Sequence, residues 1–443
     1  MPRAPIRRKP TRAGQPSRAP SRPPRDGRAL AYRALRAVLE DQRNLDAVLA
    51  ADLPPRERAF AHTLVATTLR RLGEIDAALG PLLNQPFTAL APDARALLRI
   101  GTAQMFLGTP PHALVAATVD LAKSEAPHFA GLTNAVLRRL AREGLPERSE
   151  REAARLDTPD WLWESWVAAH GEEVAVKIAT AHLAEPPLDF TAKEPERWTE
   201  ALGAELLPTG TLRRPARAGG EIRALPGYGD GAWWVQDAAA AIPARLLAPV
   251  AGQRVLDLCA APGGKAAQLV AMGCDVVAVE QSEPRAALLR DNLARLKLAA
   301  EVVVADAATY ATDKPVAGLL LDVPCTATGT IRRHPDIPWR KSAVDVGRLV
   351  PVQTRLLEHA ATLLAPGGLL VYAVCSLEAA EGPQRIADFL ATHPEFRRMP
   401  VTPAEVGGDA ALITAEGDLR TLPCHWSDKG GMDGFYAARL QRR

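Results

Sequence analysis

Two cysteines in the second half of the chain, Cys325 and Cys375, stand at matching positions. Cys325 lies in the stretch DVPCTATG and Cys375 in YAVCSLEAAEG, and each follows an apolar run that predicts a buried strand. A lone buried cysteine is usually only a small hydrophobic residue. Two free thiols that end neighbouring strands should instead face one pocket. There a thiolate can add to C6 of a pyrimidine and make C5 nucleophilic enough to accept a methyl group.

A glycine-containing turn precedes both cysteines, in the stretch QRVLDLCAAPGGK, residues 253–265. Its apolar run, 255–258, leads directly into Pro262, Gly263 and Gly264 and then into a helical pattern, as a buried parallel strand leads into a helix. Residues without a Cβ let main-chain N–H groups approach a ligand, and the positive end of the next helix favours a carboxylate or a phosphate. The pattern predicts the first βα unit of a nucleotide-type site.

Acidic residues end the predicted strands that follow this turn. Glu280, sixteen residues beyond Gly264, can accept from both ribose hydroxyls of a nucleoside, and Asp306 can accept from an exocyclic adenine amine. Lys265 is followed by two alanines, so the chain lacks the GK[ST] sequence that binds a triphosphate, and GxGxxG is absent as well. An adenosyl group with a small amino-acid tail therefore fits better than a nucleoside triphosphate or a dinucleotide.

The elements that must position these residues alternate between strand and helix. Strands are predicted at 255–258, 275–280, 301–304, 318–322 and 369–375, and helices at 237–247, 283–296 and 346–364. This alternation is typical of an α/β fold with a doubly wound, Rossmann-like parallel sheet, in which ligands bind beyond the carboxyl ends of the strands. Residues 236–443 are predicted to form this domain.

The first part of the chain has a different character. Residues 29–184 show helical spacing of apolar residues almost throughout, which predicts an all-α domain. Residues 185–235 predict a small α+β connector, in which Trp233 and Trp234 either pack in the core, which we favour, or stack on a base. Residues 1–28 contain nine Lys or Arg and one acidic residue. We expect a disordered basic arm there, which either contacts RNA phosphates or only aids solubility.

Composition sets the broad class of the protein. The 443 residues are too many for a single core, and the 47% hydrophobic and 24% charged fractions are ordinary for a globular chain. No apolar run is long enough to span a bilayer. The odd count of five cysteines, without a CxxC pair, favours free thiols in a reducing cytoplasm. We expect a cytoplasmic monomer that binds neither a membrane nor a metal ion.

Residues 111–140 resemble the antiterminator NusB and its relatives. The segment VDLAK, residues 119–123, matches one helix of that family, and TNAVLR, residues 133–138, matches the next. The resemblance implies an RNA-binding helical domain. A basic cluster on the second helix, Arg138, Arg139 and Arg142, is either part of that RNA surface or an ordinary solvated helix face.

Residues 253–380 resemble the RNA cytosine-C5 methyltransferases of the Nop/Sun type. The resemblance rests on LDLCAAPGGK, on the acidic end of the second strand, on DVPCTATGTIRRHPD and on VCSLEAAEG. Together with the NusB-like region it covers nearly everything after residue 28. It indicates the bacterial enzymes of this family that modify small-subunit (16S) ribosomal RNA, with transfer RNA and large-subunit ribosomal RNA as alternative substrates.

The same resemblance implies S-adenosylmethionine as the cofactor and assigns roles to residues. It implies that Cys375 is the nucleophile and that Cys325 helps to remove the C5 proton. The residues it implies for holding the cofactor are Cys259, Ala260, Ala261, Pro262, Gly263, Gly264, Lys265, Glu280, Asp306 and Asp322. The chain departs from the family pattern at Glu280 for Asp, Val323 for Ala, Thr326 for Ser and Val374 for Thr.

Further expectations concern the surroundings of the thiols. Cys375 must ionise to attack, so we expect Lys265 and the cofactor sulfonium to supply positive charge, with Asp322 completing the catalytic group. The basic stretch Arg332, Arg333 and His334 is predicted to hold RNA while the target base leaves its stack.

Other functional classes fit less well. A DNA cytosine methyltransferase would attack with the cysteine at position 325 and needs an ENV motif, which the chain lacks. An amino-group methyltransferase would carry an aromatic residue in place of Cys325. A NusB-like RNA-binding assembly factor with a vestigial catalytic domain is the alternative from a different class, and the presence of both cysteines and every acidic position counts against it.

Overall fold

The computed structural model describes residues 26–50, 53–247 and 252–443. Its first part consists of helices joined by short connections. Their bounds are α1 (Gly27–Leu39), α2 (Leu45–Leu49), α3 (Pro55–Arg70), α4 (Leu72–Leu79), α5 (Pro92–Phe106), α6 (Pro111–Glu125), α7 (Ala130–Glu143), α8 (Glu150–Leu156), α9 (Asp160–His170) and α10 (Glu172–Leu183). The prediction of an all-α first part is confirmed.

Local signals set where several of these helices begin. The Asp26 side chain caps α1 by accepting a hydrogen bond from the Ala29 N–H at 2.9 Å. Prolines open α3, α5 and α6, where a missing N–H leaves no helical hydrogen bond unmade. Because α1 begins at Gly27, the last two residues of the predicted arm, 1–28, are helical. Residues 1–25 of that arm lie outside the described residues.

A small antiparallel sheet follows the helices. Its elements are β1 (Leu188–Ala192), α11 (Pro195–Leu202), β2 (Glu205–Leu206), β3 (Leu212–Arg214) and β4 (Trp233–Val235), and the strand order is β2-β3-β1-β4. Trp233 is fully buried, with its ring edge-on to Phe190 at 4.7 Å between centroids, and Trp234 is buried as well. Both tryptophans therefore pack in the core, as we favoured. None of the helices in the described ranges is long and apolar enough to cross a membrane.

The remaining elements form the large sheet and its covering helices. Their bounds are α12 (Ile242–Arg245), β5 (Arg254–Leu258), α13 (Gly264–Ala271), β6 (Asp275–Glu280), α14 (Glu283–Arg295), β7 (Glu301–Val304), β8 (Val316–Asp322), α15 (Ile337–Arg340), α16 (Ala343–Thr362), β9 (Leu364–Val374), α17 (Pro383–Thr392), β10 (Phe396–Arg398), β11 (Leu419–Thr421) and β12 (Phe435–Arg442). The alternation of strand and helix confirms the predicted α/β class.

The sheet has the order β10-β12-β9-β8-β5-β6-β7, and β11 also pairs with β12. The strands from β9 to β7 are parallel, whereas β12 runs antiparallel to β9. Strands β5 to β7 are added towards one edge of the sheet, whereas β8 and β9 are added on the other side of β5. In open α/β sheets a ligand crevice forms where the strand order switches in this way, beyond the carboxyl ends of the strands. The register pairs Asp322 of β8 with Ala373 of β9, so these strands end side by side.

Two predicted element boundaries are wrong. The helix predicted at 237–247 is only α12, because Pro243 lacks an N–H and is tolerated only in the first helical turn. β9 begins at Leu364 rather than at residue 369. The sequence Pro366-Gly367-Gly368 is a turn signal, and it concealed the pairing of Leu364 with Val316.

The loop that follows Cys325 is held by the helical part of the chain. Arg70 of α3 donates to the Arg332 carbonyl at 2.8 Å, and the Trp339 indole donates to the Leu69 carbonyl at 2.9 Å. The Leu45 N–H donates to the Asp336 carboxylate at 3.2 Å. The helical domain therefore supports the loop next to the thiols from the side opposite the sheet.

One carboxyl group lies in the core of the sheet. Asp257 of β5 is fully buried, and among the described residues neither of its oxygens has a hydrogen-bond partner. Burial raises its pKa to about 8, the nearby Asp322 carboxylate adds to the shift, and the Lys265 ammonium opposes it. Asp257 is therefore protonated at neutral pH in the folded chain.

This burial predicts a pH-dependent stability difference for Asp257→Asn. The unfolded carboxyl ionises near 3.8 and the folded one only near 8. Above pH 4 the folded chain must therefore retain a proton that the unfolded chain releases. Wild-type stability should fall relative to the variant by about 1.4 kcal/mol per pH unit as pH rises through this window, and the difference should level off above the folded pKa.

Urea unfolding of both proteins at several values between pH 5 and pH 9 measures the difference. Asp275→Asn, at an exposed carboxylate on the neighbouring strand β6, is the matched control and should show no such trend. A difference between wild type and Asp257→Asn that does not vary with pH would contradict the buried, protonated state.

Candidate active site

A cavity of about 310 Å³ lies over the carboxyl ends of the parallel strands. It is lined by Cys259, Ala261, Glu280, Gln281, Arg285, Asp306, Ala307, Asp322, Val323, Pro324, Cys325, Ala327, Val352, Arg355, Leu356 and Cys375. The predicted cysteines and acidic residues thus meet in one cavity. Lys265 does not line the cavity but forms an ion pair with Asp322, which does. Ala260, Pro262, Gly263 and Gly264 belong to the turn between β5 and α13, next to the cavity.

Close packing against α14 fixes the shape of the glycine turn. Gly263 has a φ of 106°, and a Cβ there would lie 2.4 Å from the Leu289 side chain, so only glycine fits. Arg285 donates to the Ala261 carbonyl at 2.7 Å and Asn292 donates to the Pro262 carbonyl at 2.9 Å. These bonds leave the N-terminus of α13 next to the cavity, where unpaired N–H groups favour an anionic group of a ligand.

Glu280 presents an unused acceptor to the cavity. One carboxylate oxygen accepts from the Ser282 N–H at 3.0 Å, which fixes the side chain. The other oxygen is buried and accepts no hydrogen bond from the described residues; the nearest cation, Arg285, is 3.6 Å away. A buried carboxylate oxygen without a donor is unfavourable unless a ligand supplies one. The hydroxyls of a ribose fit this requirement.

Asp306 lies at the far side of the same cavity. One of its oxygens accepts from the Ala308 N–H at 2.9 Å, and the other is 3.9 Å from Arg355. Cys259, between the two acidic residues, has its pKa raised to about 12, mainly by burial and further by Asp322 and Glu280. It therefore stays a neutral thiol and serves as a lining group. The carboxylates of Glu280 and Asp306 suit a neutral adenosine, because each can accept hydrogen bonds from one end of it.

Lys265 and Asp322 form an ion pair beside the thiols. The ammonium lies 2.7 Å from the Asp322 carboxylate and 4.9 Å from the centre of the Phe435 ring. Burial lowers the pKa of Lys265, but the charge of Asp322, its hydrogen bond and the nearby Cys375 sulfur outweigh burial and raise the pKa overall. The lysine is therefore charged, and its field acts on Cys375 as well as on Asp322.

The two cysteines are in direct contact. Their Sγ atoms are 3.3 Å apart, which confirms the prediction that both face one pocket. The pKa of the Cys325 thiol is held well above its usual range, first by its hydrogen bond to Cys375, then by burial and by the negative charge of Cys375 and Glu381. Either sulfur can donate in this contact, and the surroundings of Cys325 favour its protonated form.

The structure corrects the prediction for the basic stretch. Arg332 is buried, and its guanidinium donates to Asp237 at 2.7 Å, to Asp433 at 3.1 Å and to the Gly430 carbonyl at 2.8 Å. A side chain so enclosed cannot hold RNA, because its partners would be left as unpaired buried charges. Arg333 is half-buried and paired with Asp433, and His334 lies 3.5 Å from Asp46 of α2. Only these last two retain an exposed edge.

One residue of this region escapes the sequence patterns. Glu381 is fully buried below the thiols and accepts hydrogen bonds from the loops that carry both cysteines. It follows a turn rather than a strand, so strand-end reasoning does not single it out. The one available signal is a pair of glutamates, Glu378 and Glu381, among the small residues of EAAEG.

Two family models match the chain. Residues 244–441 match the family described as 16S rRNA methyltransferase RsmB/F, and residues 25–142 match the NusB family. The first match covers the large sheet and the cavity, and the second covers α1 to α7. Both agree with the resemblances seen in the sequence.

Relatives match over almost the whole length. The ribosomal RNA small subunit methyltransferase B of Pseudomonas putida is 37% identical, over 93% of this chain and 98% of its own length. The protein of the same name from Thermus thermophilus is also 37% identical, over 88% of this chain and 90% of its own. Among solved structures, PH0851 superposes with a TM-score of 0.75 at 23% identity, covering 95% of this chain and 99% of that one, which supports the fold.

Sequence identity above 30%, along nearly the full length of this chain and of its relatives, shows the family to which the chain belongs. The cavity holds thiols that can add to a pyrimidine, next to acidic residues that can accept hydrogen bonds from a nucleoside. The chain belongs to the RsmB/F family of S-adenosylmethionine-dependent 16S rRNA cytosine-C5 methyltransferases.

Proposed function

We propose that, within this activity, Cys375 is the nucleophile that attacks C6 of the target cytosine and Cys325 is the thiol that assists removal of the C5 proton. The observation that carries this assignment is the 3.3 Å contact between the sulfurs, together with the raised pKa of Cys325. A thiol that keeps its proton is a poor nucleophile. Its partner Cys375, which feels the charge of Lys265, is the better one.

The same contact accounts for a change of role during the cycle. When the Cys375 sulfur bonds to C6, the electrons of the C5–C6 double bond become available at C5 to form the new C–C bond to the methyl group. The sulfur is then a neutral thioether, so the largest cause of the high Cys325 pKa disappears. Cys325 can now lose its own proton to water more readily, and the resulting thiolate takes the C5 proton. Loss of that proton restores the double bond and expels the Cys375 thiolate.

We assign the cofactor to the turn at residues 259–265 and to the acidic residues above it. When bound, S-adenosylmethionine supplies the methyl group and a positive sulfonium. Glu280 would accept from the ribose hydroxyls through its unused buried oxygen, and Asp306 would accept from the adenine amine. The ion pair of Lys265 and Asp322 lies between this site and the thiols, where it would orient the amino-acid end of the cofactor.

The RNA surface that we propose spans the helical domain and the mouth of the cavity. A groove between α6 and α7 is lined by His112, Lys123, Asn134, Arg138 and Arg142, and basic side chains of this kind bind phosphates. Arg333 and His334 would meet the RNA next to the thiols. The five cysteines are free, which suits a reducing compartment, and we propose a cytoplasmic enzyme that acts as a monomer.

The cofactor assignment predicts the effect of Glu280→Ala. Removing the carboxylate leaves the ribose hydroxyls without their acceptor, which should weaken S-adenosylmethionine binding by about 1 to 3 kcal/mol. Titration calorimetry measures the change. Glu283→Ala, at an exposed glutamate three residues away that pairs with Arg290, is the matched control and should bind like the wild type. Equal affinity of Glu280→Ala and the control would reject the assignment.

The thiol assignment predicts different failures for the two cysteine variants. Cys375→Ala should neither methylate RNA nor form a covalent complex. Cys325→Ala should attack and methylate but resolve slowly, so that a covalent protein–RNA complex accumulates. Denaturing electrophoresis of each variant with RNA and cofactor separates the outcomes, and Cys424→Ala, at a cysteine that does not line the cavity, should turn over normally. A slow-migrating band for Cys375→Ala and none for Cys325→Ala would reverse the roles.

A further inference from the structure

A single buried carboxylate connects the two loops that carry the thiols. Glu381 has no exposed surface. Its oxygens accept from the Thr326 N–H at 3.0 Å, from the Thr326 hydroxyl, from the Ser376 hydroxyl at 2.6 Å and from the Gln353 amide at 2.9 Å. Thr326 follows Cys325 directly and Ser376 follows Cys375 directly. The carboxylate is therefore one residue away from each cysteine.

The surrounding bonds make this connection stiff. The Tyr372 hydroxyl of β9 donates to the Glu381 carbonyl at 2.6 Å, which fixes the backbone of the glutamate to the strand that leads into Cys375. Gln353 of α16 donates to the Pro324 carbonyl at 3.0 Å as well as to the carboxylate. Both cysteine loops and one covering helix thus share one anchor.

The chemistry of the anchor suits a carboxylate. Donors converge on it from several directions, and a carboxylate offers about four acceptor positions without any hydrogen of its own. A buried anion is tolerated when it is fully hydrogen-bonded, and here its donors belong to the segments that must be held. Its charge also acts on the Cys325 thiol and favours the protonated form.

We propose that Glu381 is the positioning residue of the thiol pair: by tying the loop after β8 to the loop after β9, it sets the separation of the Cys325 and Cys375 sulfurs that methyl transfer needs. This inference rests on the proposed roles of the two cysteines. Glu381 touches neither the cofactor cavity nor the sulfurs, so its effect should fall on the thiols and not on cofactor binding.

The test compares Glu381→Ala with Glu381→Gln. Alanine leaves the donors of both loops unpaired and releases one loop from the other. Glutamine keeps an acceptor for the Gln353 and Thr326 N–H groups, and its amide can donate to the Thr326 and Ser376 hydroxyls once these rotate, so the tie persists. Glu378→Gln is the matched control, because this neighbouring buried glutamate bonds to Ser165 of the helical domain and to Thr328, and glutamine can keep both of these bonds.

Three measurements report on the variants: cofactor affinity by calorimetry, the single-turnover rate of the covalent RNA complex, and the rate at which diamide, which takes up the two thiol hydrogens, joins Cys325 to Cys375 as a disulfide. For Glu381→Ala we expect unchanged cofactor affinity, with complex formation and disulfide formation each slowed by about tenfold or more. Glu381→Gln should recover most of both rates. Glu378→Gln should match the wild type.

Wild-type rates of both reactions in Glu381→Ala would overturn the proposal. Loss of cofactor affinity together with the rates would also overturn it, because Glu381 would then support the domain in general. If Glu381→Ala does not fold, Ser376→Ala decides by the same criteria, because it removes the bond of the Cys375 loop to Glu381 together with the contacts of that hydroxyl to Thr326, Thr328 and the Glu378 N–H. The disulfide rate does not depend on which thiol attacks, so an error in the proposed cysteine roles would leave this readout intact and would appear in the cysteine variants instead.

Discussion

The parallel pairing of β8 with β9 is the constraint on which the rest of the site depends. Its register ends the two strands together, so that the segments beyond Asp322 and Val374 bring their cysteines into contact. β12 supports β9 from the other side, and Gly329 allows the Cys325 loop to pack against the segment that leads into β12, because a Cβ there would lie 1.9 Å from the Gly434 carbonyl oxygen. The Gly329 N–H donates to the Cys375 carbonyl at 3.0 Å, which adds a backbone bond between the loops.

The site gains its chemistry from buried ionisable groups, some neutral and some paired, at a cost in stability. Asp257 is protonated in the sheet core, Lys265 and Asp322 are paired at the edge of the cavity, and Arg332 is enclosed by Asp237 and Asp433. Buried pairs of this kind seldom stabilise a fold as well as apolar packing would. The pairs that Arg332 forms with Asp237 and Asp433 do hold the loop of residues 326–342 in place, and the helical domain supports the same loop from outside. The NusB-like domain therefore has a structural part in the site in addition to the RNA contact proposed for it.

The sequence predicts the residues that line the cavity better than the buried residues that hold the surrounding loops in place. The thiols and the acidic residues stand at or just beyond strand ends, and periodicity alone locates strand ends in an alternating α/β chain. The sequence therefore predicts that Cys325, Cys375, Glu280 and Asp306 share one cavity. Arg332 could not be judged, because a basic loop residue looks the same whether it faces solvent or two buried carboxylates distant in sequence. Glu381 was missed for the same reason: its meaning lies in donors from positions 326, 353 and 376, which only the tertiary fold assembles.

We expect the two touching thiols to differ in how readily they lose a proton, and selective alkylation measures this difference. The protein without RNA is treated with limiting iodoacetamide across a pH series, and modification of each cysteine is followed by peptide mass spectrometry. Thiolates react and thiols do not. Cys375 should be modified first at every pH, and Cys325 should lag behind it. Modification of Cys325 before Cys375 would contradict the assignment of nucleophile and proton-removing thiol.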